Sequence, residues 1–360
     1  MTNKNVSGFA VLAGLSVIGA AVLTHAARAA SPGPGFNTPG NILISDQYNN
    51  RVIEINRQGN IVFQFGSNNP TECNPGPNTV IAPNDVERLA HGNTLIAGTG
   101  AALPNFTCPD NRVFIVNKMG HIIWQYGQAG VTGSGPNQLN TPVFAIQTGN
   151  GDVLITDQGN NRILEVDAQH NVVMQYGPTS GPGALNAPNS AEVLKNGDIL
   201  IADQGNNRAL EITPRGNIVS QISGTFAGLP LNTVAFASRL PSGDTLITDS
   251  GNSRVLEITP AGKVRSEYFT NRQMGSNPAP LPSNAIRLQS GGTLITDQLN
   301  DRVLVIDPYR QIVFQYGMLD MPGNGPGMLN APYNATVVGQ YVGVTPPPGL
   351  SASALATPAK

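Results

Sequence analysis

The chain has 360 residues, 40% of them hydrophobic and 12% charged, with 41 glycines, 29 prolines and a formal net charge of −2. Charges so few and so balanced exclude the basic footprint that nucleic acid or an anionic membrane surface requires. The apolar content suffices for a buried core, which excludes global disorder, and the Gly and Pro content predicts many turns.

The first element is a targeting segment. Lys4 supplies a positive start, Phe9 to Leu23 is apolar, and Ala27-Arg28-Ala29 places small residues where a signal peptidase cuts. The stretch is short for a membrane span and is broken by Gly14 and Gly19, so an uncleaved anchor is the weaker alternative. Residues 1–29 read as a signal peptide, which implies a secreted or periplasmic protein with no membrane insertion after cleavage. Lys4 and Arg28 leave with it, taking the formal charge from −2 to −4. Residues 30–39 are a Pro/Gly-rich linker.

Six repeats follow. Each opens on a glycine (Gly40, Gly92, Gly151, Gly197, Gly243, Gly291) and continues into a short apolar run such as Asp152-Val-Leu-Ile-Thr or Asp244-Thr-Leu-Ile-Thr. The run ends in a turn written Asp157-Gln-Gly-Asn-Asn-Arg162 and again Asp203-Gln-Gly-Asn-Asn-Arg208, with variants starting at Asp46, Asp249 and Asp297. Unit two departs: Gly98 stands where the Asp belongs, and only Asp110-Asn-Arg112 survives after an insertion. A second strand such as Arg302-Val-Leu-Val-Ile, a Pro/Gly turn, a third strand such as Ile312-Val-Phe-Gln-Tyr, a long loop and a fourth short strand complete the unit. Short β-branched runs bounded by turn residues signal strands. Successive arginines, Arg162, Arg208 and Arg254, stand 46 residues apart. Four strands at that period make a propeller blade.

The expected fold is therefore all-β, a six-bladed β-propeller of four-stranded antiparallel blades over residues 40–338. Unit one has no fourth-strand segment before it, and a spare one follows unit six at Asn334-Ala-Thr-Val-Val338. That C-terminal strand completes blade one and closes the ring, which removes an exposed edge. Residues 339–360 read as a flexible Pro/Ala-rich tail. The pattern Gly-Asp-x-Leu-Ile-x-Asp-x-x-Asn-x-Arg, with loops such as Gly181-Pro-Gly-Ala-Leu-Asn-Ala-Pro188 and Gly325-Pro-Gly-Met-Leu-Asn-Ala-Pro332, resembles NHL-repeat propellers. That resemblance implies the fold and leaves activity open, since such propellers include scaffolds, ligand binders and enzymes.

The repeated Asp and Arg read as a turn lock, in which an Asp accepts nearby amides and faces an arginine. Strand parity puts these turns on the same face as the long loops. Both cysteines, Cys73 and Cys108, fall on that face, and in an oxidising compartment they read as one disulfide, with two free thiols as the alternative. Aromatic or sulfur-bearing Phe63, Trp124, Met174 and Phe314 on the third strands read as packing between blades rather than as an outer patch.

The inner strands are where the repeat loses its regularity. They carry Asp85, Phe144, Ser190, Phe236, Asn284 and Asn334 at one position and Glu87, Ile146, Glu192, Ser238, Ile286 and Thr336 two residues on. Asp85, Glu87, Glu192, Asn284 and Asn334 could supply hard oxygen ligands to Ca²⁺ or a similar divalent cation. This set resembles that of six-bladed lactonase-type enzymes, whose channel metal is held by such residues. The bland reading is hydrogen-bonded channel polars. Arg88, Arg239 and Arg287 could bind an anionic ligand or neutralise nearby glutamates. His91, His121 and His170 all fall in turns, which argues against a histidine triad or zinc site. Two readings stay open: a monomeric binding scaffold that takes a protein or small extracellular ligand on its loop-rich face, and a metal-dependent hydrolase or lyase working in the channel on that face.

Overall fold

The Leu-Ile runs fold into strands buried over their whole length, as at Ile42–Asp46, Val153–Asp157, Ile199–Asp203, Thr245–Asp249 and Thr293–Asp297. Each blade is sandwiched between two others, so both faces of these strands need apolar side chains and the period-two alternation of a half-buried strand disappears. The structure, a computed structural model, describes residues 32–103 and 106–340. The signal peptide reading at 1–29 and nearly all of the tail lie outside the described residues.

Six four-stranded antiparallel sheets are present. From the channel outwards, blade 1 holds Pro332–Val337, Ile42–Asp46, Arg51–Ile55 and Ile61–Gly66. Blades 2 to 6 start on inner strands Pro83–Arg88, Pro142–Gln147, Pro188–Val193, Val234–Arg239 and Asn284–Arg287. The last strand of the chain thus completes the first blade, pairing Ile44 with Ala335 and Ser45 with Asn334. Ring closure places the two chain ends of the propeller in one sheet.

The cores between blades are apolar. One core joins Leu95, Val113 and Tyr126 of blade 2 to Ala145, Val153 and Leu164 of blade 3, and the other seams repeat the arrangement. The small residues at the middle of the inner strands, Ala145, Ala191, Ala237, Ala285 and Ala335, belong to these seams. So does the aromatic or sulfur-bearing series of the outer strands: Phe63 is buried, and Trp124, Met174 and Phe314 pack against the seam cores. Within the linker, Gly33 donates to the Val62 carbonyl and the Phe36 ring lies 5.4 Å from that of Phe63.

Blade 2 shows why its repeat is broken. Its middle strands, Thr94–Leu103 and Phe106–Val116, extend beyond the lock as a long hairpin. The lock's carboxylate comes from Asp110 on the second of them. A Cβ on Gly98 would lie 2.6 Å from Asp110 Oδ2, so the position that carries Asp in other blades must be empty here. Cys108 of this hairpin is bonded to Cys73 in the preceding loop, as the sequence predicts.

Candidate functional site

The repeated Asp is used up in construction. Asp249 Oδ2 accepts from Arg254 Nε at 2.7 Å and from Asn252 Nδ2 at 2.8 Å, and its Oδ1 accepts the amide of Asn232 in the preceding loop at 2.7 Å. The arginine then donates to two carbonyls of that loop, Phe226 and Leu229, both at 3.0 Å. Blades 1, 3 and 4 repeat these contacts at Asp46, Asp157 and Asp203. Asp110 reproduces them in blade 2, bonding Arg112 and accepting the Ile81 amide at 2.7 Å. The residue before each arginine adopts positive φ, and in every blade but the fifth, where it is Ser253, its side-chain oxygen reaches the next blade: Asn161 accepts from Ala187 N at 2.7 Å and Asn207 from Thr233 N at 2.6 Å. Asn tolerates that backbone and supplies the acceptor, which explains its recurrence.

Freed of the locks, the site is the channel. At its loop-rich mouth the residue after the lock Asp forms an amide layer. Gln298 Nε2 donates to Gln47 Oε1 at 3.0 Å, Gln47 Nε2 to Asn84 Oδ1 at 2.6 Å, and Gln158 Nε2 to Asn189 Oδ1 at 3.1 Å. Gln204 Oε1 in the same layer is buried without a partner. Beneath them Tyr333 of blade 1 crosses the channel to the opposite blade and donates to Asn189 Oδ1 at 2.8 Å. Burial pushes its phenol up to about 12. Sequence reasoning passed over Tyr333 and Asn189. The available signal was that Tyr333 alone is aromatic among Asn84, Val143, Asn189, Ala235, Ser283 and Tyr333, the equivalent positions.

The next layer is divided. On one side Asn284 Nδ2 donates to Asn334 Oδ1 and Asn334 Nδ2 to Asp85 Oδ1, a chain across blades 6, 1 and 2. On the other, Phe144 and Phe236 meet edge to face with centroids 5.7 Å apart, flanking Ser190, whose hydroxyl is buried and unpartnered. Below, Asp85, Glu87, Phe144, Asn334, Thr336 and Gln340 line a narrow hollow. Gln340 lies past the end of its strand, so the hollow opens toward the face opposite the long loops.

The channel carboxylates staple blade to blade. Asp85 accepts the Ala145 amide at 2.8 Å, Glu87 that of Gln147 at 3.1 Å, and Glu192 that of Arg239 at 2.6 Å. None faces a guanidinium in an ion pair. Burial pushes Asp85 up to about 7, Glu87 to about 8 and Glu192 to about 7, only partly opposed by those amides. The three arginines point the other way. Arg88 meets Glu54 at 2.5 Å, Arg239 meets Glu211 at 2.9 Å and Arg287 meets Glu257 at 2.8 Å, each glutamate on the preceding blade. Arg88 is buried beneath Phe36; Arg239 and Arg287 keep about a quarter of their side-chain surface exposed.

Of the five oxygen ligands read from the sequence, Asp85, Asn284 and Asn334 are brought together and Glu87 lies on the same strand as Asp85. Glu192 stands on another blade, with Oε2 buried and unpartnered. Among the described residues no three His, Cys, Asp or Glu side chains form a metal-holding group. A cation at Asp85 would draw on one carboxylate and two carboxamide oxygens. Asn284 Oδ1, buried with no partner, fits that role.

No protein-family model and no curated protein matches the chain. Solved structures do. A streptogramin B lyase is 16% identical over 80% of this chain and 82% of its own, with a TM-score of 0.53. A protein of unknown function from Bacteroides caccae is 16% identical over 79% of this chain and 97% of its own, at 0.57. A chain of a nidogen/laminin complex is 11% identical over 76% and 92%, at 0.51. At these identities the likeness shows the propeller fold alone.

Proposed function

We propose that the protein is an exported NHL-type propeller, a monomer that works as a binding module through its loop-rich face. The observation that carries this reading is the channel mouth on that face. Its carboxylates are committed to locks, Tyr333 and Asn189 meet across the passage beneath it, and what remains is a neutral layer of glutamine and asparagine amides beside half-exposed Tyr48. Such a surface offers hydrogen bonds without acid, base or nucleophile. The Cys73–Cys108 bridge ties two of its long segments together, which lowers the ordering cost of binding. Among proteins of similar fold, one was solved within a binding complex, nidogen with laminin. The test is retention of purified protein on the envelope and matrix fraction of the producing cells. Tyr48→Ala with Gln204→Ala should reduce retention, and Val173→Lys on the opposite rim should leave it unchanged. Equal retention by all three proteins would overturn the reading.

A second reading has one specific observation in its favour, the orphaned Asn284 Oδ1 beside Asn334 and Asp85. In it, Ca²⁺ or a similar cation is held there and in the hollow below, and the protein is a hydrolase or lyase, a lyase being among the proteins of similar fold. Metal analysis of the purified protein and thermal stabilisation by added Ca²⁺ decide it, since a ligand at 100 times its Kd stabilises by about 2.7 kcal/mol. No metal and no shift, with Asp85→Asn unchanged, sinks it.

A further inference from the structure

The chain has seven methionines, and four of them, Met274, Met318, Met321 and Met328, fall in two neighbouring loops, those joining blade 5 to 6 and blade 6 to 1. Three are turned to water: Met274 is 96% exposed, Met321 55% and Met318 44%. An apolar thioether gains nothing from such a position by burial, so packing does not account for the concentration. Met328 differs. Its sulfur would lie 2.8 Å from a Cβ on Gly323, so it fills the inside of its own loop.

The fold brings the loops that carry the three exposed residues into contact. The Met321 amide donates to the Met318 carbonyl at 3.2 Å, closing a turn that contains both. The other loop touches this turn: Asn277 Nδ2 donates to Asp320 Oδ1 at 3.2 Å, and a Cβ on Gly275 would lie 3.7 Å from Leu319 Cδ2. Met274 immediately precedes that glycine. The charge nearby is negative. Asp320 sits inside the turn, and Asp301 is close enough for its carboxyl, raised mainly by burial, to be raised further by Asp320. Nearby basic groups are engaged, Arg272 stacked at 3.6 Å on the Phe269 ring and Arg302 bonded to Asp297 and Gln273.

We propose that Met274, Met318 and Met321 form a binding site for a soft monovalent metal ion, copper(I), ligated by their three thioether sulfurs. Soft thioether donors select copper(I) over the hard divalent cations, which prefer the oxygens of the channel. Methionine has three rotatable bonds, so side chains on adjoining turns can swing toward a shared ion. Asp320 offsets the single positive charge. The site is independent of the channel and of the binding role of the loop face.

Silver(I) is the probe, because it has the same charge and softness and needs no reductant that would cut the Cys73–Cys108 bridge. Titration of the intact protein, followed by equilibrium dialysis and by ¹³C-methyl methionine NMR, should show one silver ion per chain. The methyl signals of Met274, Met318 and Met321 should shift while those of Met119 and Met174 stay. Met318→Leu with Met321→Leu keeps size and apolarity, and should lose the bound silver with an unchanged melting temperature. Met119→Leu, exposed on the opposite face, should keep it. Absence of retained silver in the wild type, or equal retention by the double leucine variant, overturns the site.

Discussion

Asp249 and Asp85 are both buried carboxylates at blade seams, and they are neutralised in opposite ways. Asp249 faces Arg254 at 2.7 Å and accepts two further nitrogens. Asp85 faces only amides, those of Ala145 and Asn334 among them, and burial, which they oppose only in part, pushes it up to about 7. The contrast is one of partners: burial raises the carboxyls of Asp46, Asp110, Asp157 and Asp297 in the locks as well, but each of these has an arginine against it, whereas Asp85, Glu87 and Glu192 in the channel have no ion pair. The lock recurs because every blade must be tied to the loop before it. The channel residues differ because they meet around one axis, where six equal side chains would compete for the same space. Regularity therefore marks construction here, and irregularity marks the places where chemistry is free to vary.

The largest effect expected on either half comes from removing residues 331–360. The shortened chain loses the inner strand of blade 1, leaves Ile42–Asp46 as an open edge, and takes Asn334 from the channel and the Ala331 amide from Asp301. It should show no cooperative thermal transition. A melt like that of the full chain would mean that the ring does not depend on this strand. Next in size is Arg254→Ala, which leaves Asp249 buried without its cation and should cost about 3–5 kcal/mol in denaturant unfolding. Arg287→Ala also breaks an arginine–glutamate pair, but one whose arginine keeps about a quarter of its side chain exposed, so the loss should stay near 1 kcal/mol or below. Equal costs at the two sites would erase the distinction between lock and channel-rim arginines.

Much of this was legible in the chain. The 46-residue spacing and the spare strand after unit six specify six blades and their closure, because both follow from local hydrogen bonding and edge pairing. The locks were legible too, since Asn tolerates positive φ and Asp with Arg at five residues' distance can bond across a tight turn. Gly98 was visible only as an anomaly. That Asp110 fills its space depends on register across a hairpin, which spacing alone does not give. Gly98→Ala tests this: a Cβ 2.6 Å from Asp110 Oδ2 should destabilise by about 1–3 kcal/mol. Gly98→Asp combined with Asp110→Gly, which moves the carboxylate to the usual strand, should recover most of that. The channel was the least legible part. Tyr333 reaching Asn189, and the hollow opening away from the long loops, arise from side chains meeting across blades far apart in sequence.

The channel and the locks also separate by pH. Asp85 and Glu87 have folded pKa values of about 7 and about 8, above the ordinary values of 3.8 and 4.5. Between those limits the folded protein holds protons that the unfolded chain has released. Their contribution to stability is complete below about pH 4 and is lost as pH rises through 7 to 8. The groups around them do not reverse that sign: the amides of Ala145, Gln147 and Asn334 donate to the carboxylates and oppose the shift only in part, and the neighbouring Arg88 is turned to Glu54. The melting temperature should therefore fall between pH 5 and pH 8.5, and the fall should shrink in Asp85→Asn with Glu87→Gln. Arg254→Ala, which leaves Asp249 buried without its cation and so favours its protonated form, should instead steepen the fall. Calcium supplies the sharpest version of the measurement. A divalent cation bound at Asp85 would favour the ionised carboxylate and raise the melting temperature most at pH 8.5, whereas carboxyls neutralised by protons alone should leave the pH 8.5 curve unmoved by added Ca²⁺.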